Sequence, residues 1–129
     1  MATVLAVGHE TGLVTMVSWM LEEGGYDVVH AVDGETALAT LRTCPQTMIV
    51  VLLTTRPHVH TVDILEAAVA EPAVKRHAFV LLTAASEFLP TQWQKLVHVL
   101  AVPVLAKPLG VKHLLGTVAD AAARQRVPR

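Results

Sequence analysis

What is scarce in this sequence already removes several functions. One cysteine, Cys44, stands among 129 residues, so no internal disulfide can form. With no histidine or cysteine beside it, this thiol has nothing to activate it and reads as structural. Ten Lys and Arg against 11 Asp and Glu leave a formal charge of -1, which gives no basic surface for nucleic acid. No apolar run approaches the roughly 18 to 20 residues that span a bilayer, and no basic start with an apolar segment precedes a cleavage site. The expectation is a soluble, unexported, cytoplasmic protein with no direct nucleic-acid or membrane contact. The segment Gly8-His9-Glu10-Thr11-Gly12 lacks the spacing of a phosphate-cradling glycine loop, which disfavours a nucleotide-dependent enzyme. No enzymatic activity and no cofactor are expected.

What is present is apolar and periodic. Hydrophobic residues make up 53% of the chain, and a chain of this length forms one domain able to bury them. Thr3–Val7 is a short apolar run, followed by Leu13, Val14, Met16, Val17, Met20 and Leu21 at helical spacing until Gly24-Gly25, which reads as strand, helix and turn. Tyr26–Ala31 is a second strand, and Asp33-Gly34 opens a helix through Ala37, Leu38 and Leu41 that Pro45 closes. Met48–Leu53, Phe79–Thr83 and Pro103–Ala106 are further strands, with helices over Val62–Ala70 (ending near Pro72), from Pro90 through Leu100, and over Val111–Arg124. Strands apolar on both faces and alternating with helices imply a parallel sheet covered on each side. Right-handed crossovers make a flavodoxin-like, doubly wound (βα)5 three-layer sandwich of strand order 2-1-3-4-5 the simplest solution. The domain is expected to run from residue 1 to 123, with 124–129 a tail or the start of a linker.

In such a sheet the functional crevice lies beyond the carboxyl ends of the strands. Gly8, His9 and Glu10, Leu53 to Arg56, Thr83 and Ala84, and Lys107-Pro108 therefore carry the site. The third strand ends in Leu53, with Pro57 four residues on, where a reactive site would want a carboxylate.

In this order and spacing, Val80-Leu81-Leu82-Thr83-Ala84, Leu105-Ala106-Lys107-Pro108-Leu109, Glu22 through Val29 and Ala31 through Leu38 resemble the receiver domain of two-component response regulators. The resemblance covers Thr3 to about Ala123. It implies a family in which two acidic residues after strand 1 and one ending strand 3 hold magnesium, and the last accepts a phosphoryl group from a histidine kinase. Thr83 and Lys107 match the family's hydroxyl and lysine, and Pro108 a proline after a cis peptide bond. The acidic pair falls on Gly8 and His9, with Glu10 adjacent, and the phosphoacceptor falls on Leu53. Val104 stands where the family places an aromatic switch residue, and the Gly-Ala-Asp turn before strand 5 is replaced around Ala101-Val102-Pro103.

The chemistry of these departures is independent of the family. Magnesium takes oxygen ligands in octahedral array, usually with one or two carboxylates, and glycine, imidazole and isobutyl do not supply them. Leu53 has no nucleophilic atom, so no acyl phosphate forms there. Burying its side chain instead stabilises the fold by about 1.5 to 3 kcal/mol. Lys107 is expected to meet Glu10, the remaining nearby carboxylate.

The resulting reading is a non-phosphorylatable, receiver-like interaction module of bacterial two-component-type signalling. Trp93, Leu96, Val97, Leu100, Val104 and Leu115 are its interface candidates, on the face of the fourth helix, fifth strand and last helix. A homodimer across that face is expected, with a histidine kinase or another regulator as further partner. One alternative is a domain that senses a small ligand or anion in the vacated crevice, with Lys107, Thr83 and Arg56 as anion contacts. Another is a receiver with a substitute acceptor among Thr54, Thr55 and Asp63. His9, His58 and His60 have the residue type for zinc or copper but lack a defined fourth ligand, and no metal site is expected. His30, His77, His98 and His113 receive a structural reading only, and Trp19 is expected in the core or at a groove edge.

Overall fold

Val4–Val7, Ile49–Leu53 and Ala78–Leu82 have no polar face, and the fold leaves them none. A computed structural model of the chain describes residues 3–8, 11–53, 59–83, 91–106 and 110–124, with the side chains of 11, 59–62, 91–93 and 106 outside that description. Its elements are β1 (Thr3–Val7), α1 (Thr11–Glu23), β2 (Asp27–Ala31), α2 (Gly34–Thr43), β3 (Ile49–Leu53) and α3 (Val59–Ala70), then α4 (Pro72–Lys75), β4 (Ala78–Thr83), α5 (Thr91–Leu100), β5 (Val104–Ala106) and α6 (Val111–Arg124). All neighbouring strands pair in parallel, and the sheet order is β2-β1-β3-β4-β5.

Alternation along each strand sorts the core into two layers. Val4, Ala6, Ile49, Val51, Leu53, Val80, Leu82 and Leu105 face α1 and α6. Leu5, Val7, Val50, Leu52, Phe79 and Leu81 face α2, α3, α4 and α5. A slip of one residue would exchange the two sets without exposing either to water. Register is held instead by side-chain shape and by the turns.

Several boundaries differ from the sequence reading. α3 starts at Val59, three residues before the expected Val62, and a separate short helix, α4, follows it. Glu71 is extended, and Pro72 occupies the first turn of α4, where proline's fixed φ and missing N–H carry no penalty. Pro72 thus starts a helix as well as ending one. Asp33 caps α2 by accepting a hydrogen bond from the Thr36 N–H at 2.7 Å.

Two helices end in the same way, with different residues. After α1, Gly25 N–H donates to Glu22 O and Tyr26 N–H to Leu21 O, with Gly25 at φ 90. After α5, Ala101 N–H donates to His98 O and Val102 N–H to Val97 O, with Ala101 at φ 54. Both are Schellman closures, but only the first places glycine at the left-handed residue, where a Cβ crowds the following carbonyl.

A polar clasp joins the α2–β3 connection to the segment between α4 and β4. His77 is fully buried; its Nδ1 accepts from the Met48 N–H at 2.9 Å, and its Nε2 lies 2.9 Å from Leu41 O. A backbone N–H must donate and a carbonyl must accept, so the ring is neutral with its proton on Nε2. Arg76 donates from Nη2 to the Cys44 carbonyl and from Nη1 to Thr47 Oγ1 at 3.4 Å. Nearby, Arg42 binds both carboxylate oxygens of Glu71, at 2.8 and 2.7 Å, and this contact holds the Glu71 carboxyl below its ordinary range. The structural reading given to His77 fits this interior position.

Burial pushes the His77 ring below its ordinary value of 6.5; the Leu41 hydrogen bond opposes this, and the Arg76 charge adds to it. The folded value is therefore the lower one, and as pH falls the unfolded chain takes up this proton first. The contribution of His77 to stability is complete above about 6.5 and is lost progressively below it, until the pH passes the folded value. The urea midpoint of the native chain should fall between about pH 7.5 and about pH 5.5, with a shallower fall in His77→Gln; equal slopes would refute the buried neutral ring. For the helix ends, Gly25→Ala should cost about 1 kcal/mol, while Ala101→Gly should be neutral or stabilising by up to about 1 kcal/mol, as read by thermal unfolding.

Candidate functional site at the carboxyl edge of the sheet

The carboxyl edge brings together the ends of β1, β3, β4 and β5, because parallel strands all point the same way. Among the described residues, Gly8, Leu53, Thr83 and Ala106 mark those ends.

Gly8 continues the line of β1 and is held on both sides. Its N–H donates to Ala31 O at 3.1 Å, and its carbonyl lies 3.0 Å from His30 Nε2, which must therefore be the protonated nitrogen. A Cβ at Gly8 would stand 3.0 Å from Leu53 Cβ, 3.2 Å from Leu53 O and 3.4 Å from Val14 Cγ2. Two of these atoms belong to the neighbouring strand end rather than to a flexible tip. Glycine at position 8 is what allows the end of β1 to approach the end of β3 this closely. Leu53 is 3% exposed and belongs to the apolar layer under α1, with Val14 and Leu82.

These contacts define what the position can do. Leu53 presents an isobutyl group to packed hydrocarbon and offers neither a nucleophile nor a metal ligand. Gly8 offers a carbonyl already engaged by His30. The described part of the site therefore does not fit a magnesium ion held by carboxylates. More broadly, no group of three or more His, Cys, Asp or Glu among the described residues is arranged to hold a metal. Thr83, buried at the end of β4, has an interaction partner of its own.

Other expected site residues fall outside the described residues: His9, Glu10, Thr54, Thr55, Arg56, His58, Lys107 and Pro108. The expected Lys107–Glu10 contact falls there too. His60 and Trp93 lie in α3 and α5, with their side chains outside the description. Asp63 is exposed on α3.

The expected apolar surface is redistributed. Leu96, Val97 and Leu100 are partly buried against the layer under α5, and Leu115 packs against the other layer, its Cδ2 lying 2.5 Å from where a Gly24 Cβ would stand. Of the interface candidates whose side chains are described, Val104 is the exposed one, at 40%. Val99 on α5 is 68% exposed and Val69 on α3 45%. Trp19, expected in the core or at a groove edge, is 60% exposed on α1, because Leu13, Val14, Val17, Met20 and Leu21 already supply the buried stripe of that helix.

The sequence reading missed the closeness of Gly8 to Leu53 and the His30 contact. A glycine directly after a buried strand was the available signal, since glycine there marks a close backbone approach.

No family model matches the chain, and no curated protein matches it. Solved structures do share its fold. The chemotaxis response regulator CheY4 of Vibrio cholerae is 24% identical, covering 94% of this chain and 98% of its own, with a TM-score of 0.74. The signal receiver domain of a putative Luxo repressor protein from Vibrio parahaemolyticus is 20% identical over 97% of this chain and 92% of its own, with a TM-score of 0.77. An adenylate cyclase from Rhodopirellula baltica is 15% identical over 95% of this chain and 88% of its own, with a TM-score of 0.76. The chain has the flavodoxin-like fold of receiver domains, and the spread of names on that fold leaves activity to be argued from the site.

The close approach of the two strand ends generates a direct test. Gly8→Ala should lower stability to urea by about 1 to 3 kcal/mol through overpacking. Gly8→Asp should cost at least as much, because it adds a carboxylate to an apolar neighbourhood. Unchanged unfolding midpoints in both variants would show that β1 and β3 are not in this contact.

Proposed function

We propose that the chain is a receiver-like domain that accepts no phosphoryl group at the end of β3 and works as a protein-interaction module in bacterial two-component-type signalling. The observation that carries this reading is Leu53, buried against Gly8 at the strand end where the family resemblance puts the phosphoacceptor. A phosphorylatable site needs carboxylates and room for a cation and three phosphoryl oxygens. This strand end is packed hydrocarbon.

The consequence for signalling follows from how two-state surfaces are biased. A ligand shifts an equilibrium only by its differential affinity for the two states. Without a phosphoryl group at position 53, and with valine rather than an aromatic ring at 104, the α5–β5–α6 face has no internal trigger. Its state is then set by a partner. Association with a second copy is the leading form of that partnership, and a histidine kinase or another regulator is the next. A cytoplasmic location accompanies this role. The fold shared with receiver domains supports the signalling context.

Incubation of the purified chain with acetyl phosphate and magnesium, followed by intact-mass spectrometry, should show no phosphoryl adduct. A stoichiometric adduct, acid-labile or hydroxyl-linked, would overturn the reading and direct attention to Thr54, Thr55 or Asp63.

A further inference from the structure

The exposed apolar residues of α3 and α5 line one groove. Glu66 and Val69 form one lip, and Lys95, Leu96 and Val99 the other, around a volume of about 340 Å³. Val69 and Val99 are 45% and 68% exposed, well beyond what burial of their own helices requires. Neither Glu66 nor Lys95 has an ion-pair or hydrogen-bond partner among the described residues. The groove lies on the α3 side of α5.

Its chemistry is self-complementary in one orientation. α3 and α5 each follow a strand of a parallel sheet and return across it, so the two lips run in the same direction. One turn further along the groove, Glu66 gives way to Val69 and Lys95 to Val99. A two-fold axis along the groove lays α3 of one copy over α5 of the other without reversing direction. The lip that carries Glu66 before Val69 then lies over the lip of the second copy that carries Lys95 before Val99, so the charged part of each meets the charged part of the other. An axis across the groove instead sets Glu66 over Val69 and leaves both charges against hydrocarbon.

We propose that this groove is a homodimer interface, closed by a second copy of the chain about a two-fold axis parallel to α3 and α5. The proposal deepens the interaction-module reading by naming the partner and the surface, and it moves the contact from the α5–β5–α6 face to the opposite flank of α5. Opposite charges at one end of the groove fix orientation, and the valines one turn on supply its apolar part. The groove alone is smaller than the roughly 800 Å² per partner of a stable interface, so the dimer is a weak, reversible one.

Sedimentation velocity of the full chain over a concentration series at low salt tests it. The native chain should show reversible monomer–dimer exchange, and Val99→Asp should abolish it. Glu66→Lys and Lys95→Glu should each weaken association by about tenfold or more. The double reversal, Glu66→Lys with Lys95→Glu, should return it to within about threefold of the native value, since both cross-copy pairs are rebuilt with opposite sense. A native chain that stays monomeric throughout, or single reversals that associate as the native chain does, overturns the dimer. Neither result touches the absence of a phosphoacceptor, which fails only on the appearance of a phosphoryl adduct. Unchanged far-ultraviolet circular dichroism in each variant separates lost association from lost fold.

Discussion

A parallel sheet with both faces buried is the constraint on which everything else in this protein rests. β1, β3 and β4 bury every described side chain from Val4 to Val7, Ile49 to Leu53 and Ala78 to Thr83. Such strands cannot carry function along their length, because any polar side chain would be sealed between layers at a cost. Chemistry is confined to the strand ends, to the outer faces of the helices and to the loops. At the carboxyl edge, the ends of β1 and β3 are Gly8 and Leu53, and both complete the core. What remains beside these two ends is the helical exterior and the loops.

The same burial explains the clasp around His77. A connection that enters a two-sided core brings backbone polar groups with it, and each needs a partner. Leu41 O, at the end of α2, and the Met48 N–H, just before β3, both face inward, and one imidazole serves both. Imidazole is suited to this because its two nitrogens take opposite roles on opposite sides of a small ring. Arg76 does similar work at Cys44 and Thr47 from a less buried position. The result ties α2, β3 and β4 together at the amino edge, far along the strands from Gly8.

Much of the fold was legible because its signals are local. Strand runs apolar on both faces, the Gly24-Gly25 stop, the Asp33 cap and the alternation of elements together fix the layers and the strand order. The burial of Leu53 was legible for the same reason, since nothing distinguishes it from the residues before it. Contacts between distant residues were not legible. His77 meets partners 29 and 36 positions away, and no spacing rule links them. Nor could periodicity choose which apolar residues of α5 turn inward, because Leu96, Val97, Val99 and Leu100 exceed one helical stripe. Packing against the apolar layer beneath α5 took in Leu96, Val97 and Leu100 and left Val99 outside. The extra helix α4 was hidden because a proline that ends one helix can also start the next, and only the extended Glu71 separates the two.

The contact between Gly8 and Leu53 also limits how this sequence can change. A carboxylate introduced at 8 meets the side chain and carbonyl of 53, and one introduced at 53 enters the hydrocarbon layer that holds Val14 and Leu82. Each substitution alone is penalised by the residue left at the other position. The two sites are coupled in sequence space, and a path from this strand end to an acidic one crosses a valley of poorly folded intermediates. Exposed positions away from any such contact, such as Trp19 and Val32, have no such barrier. Variation in this domain should therefore accumulate on its exposed helical surface, while the junction of β1 and β3 stays fixed.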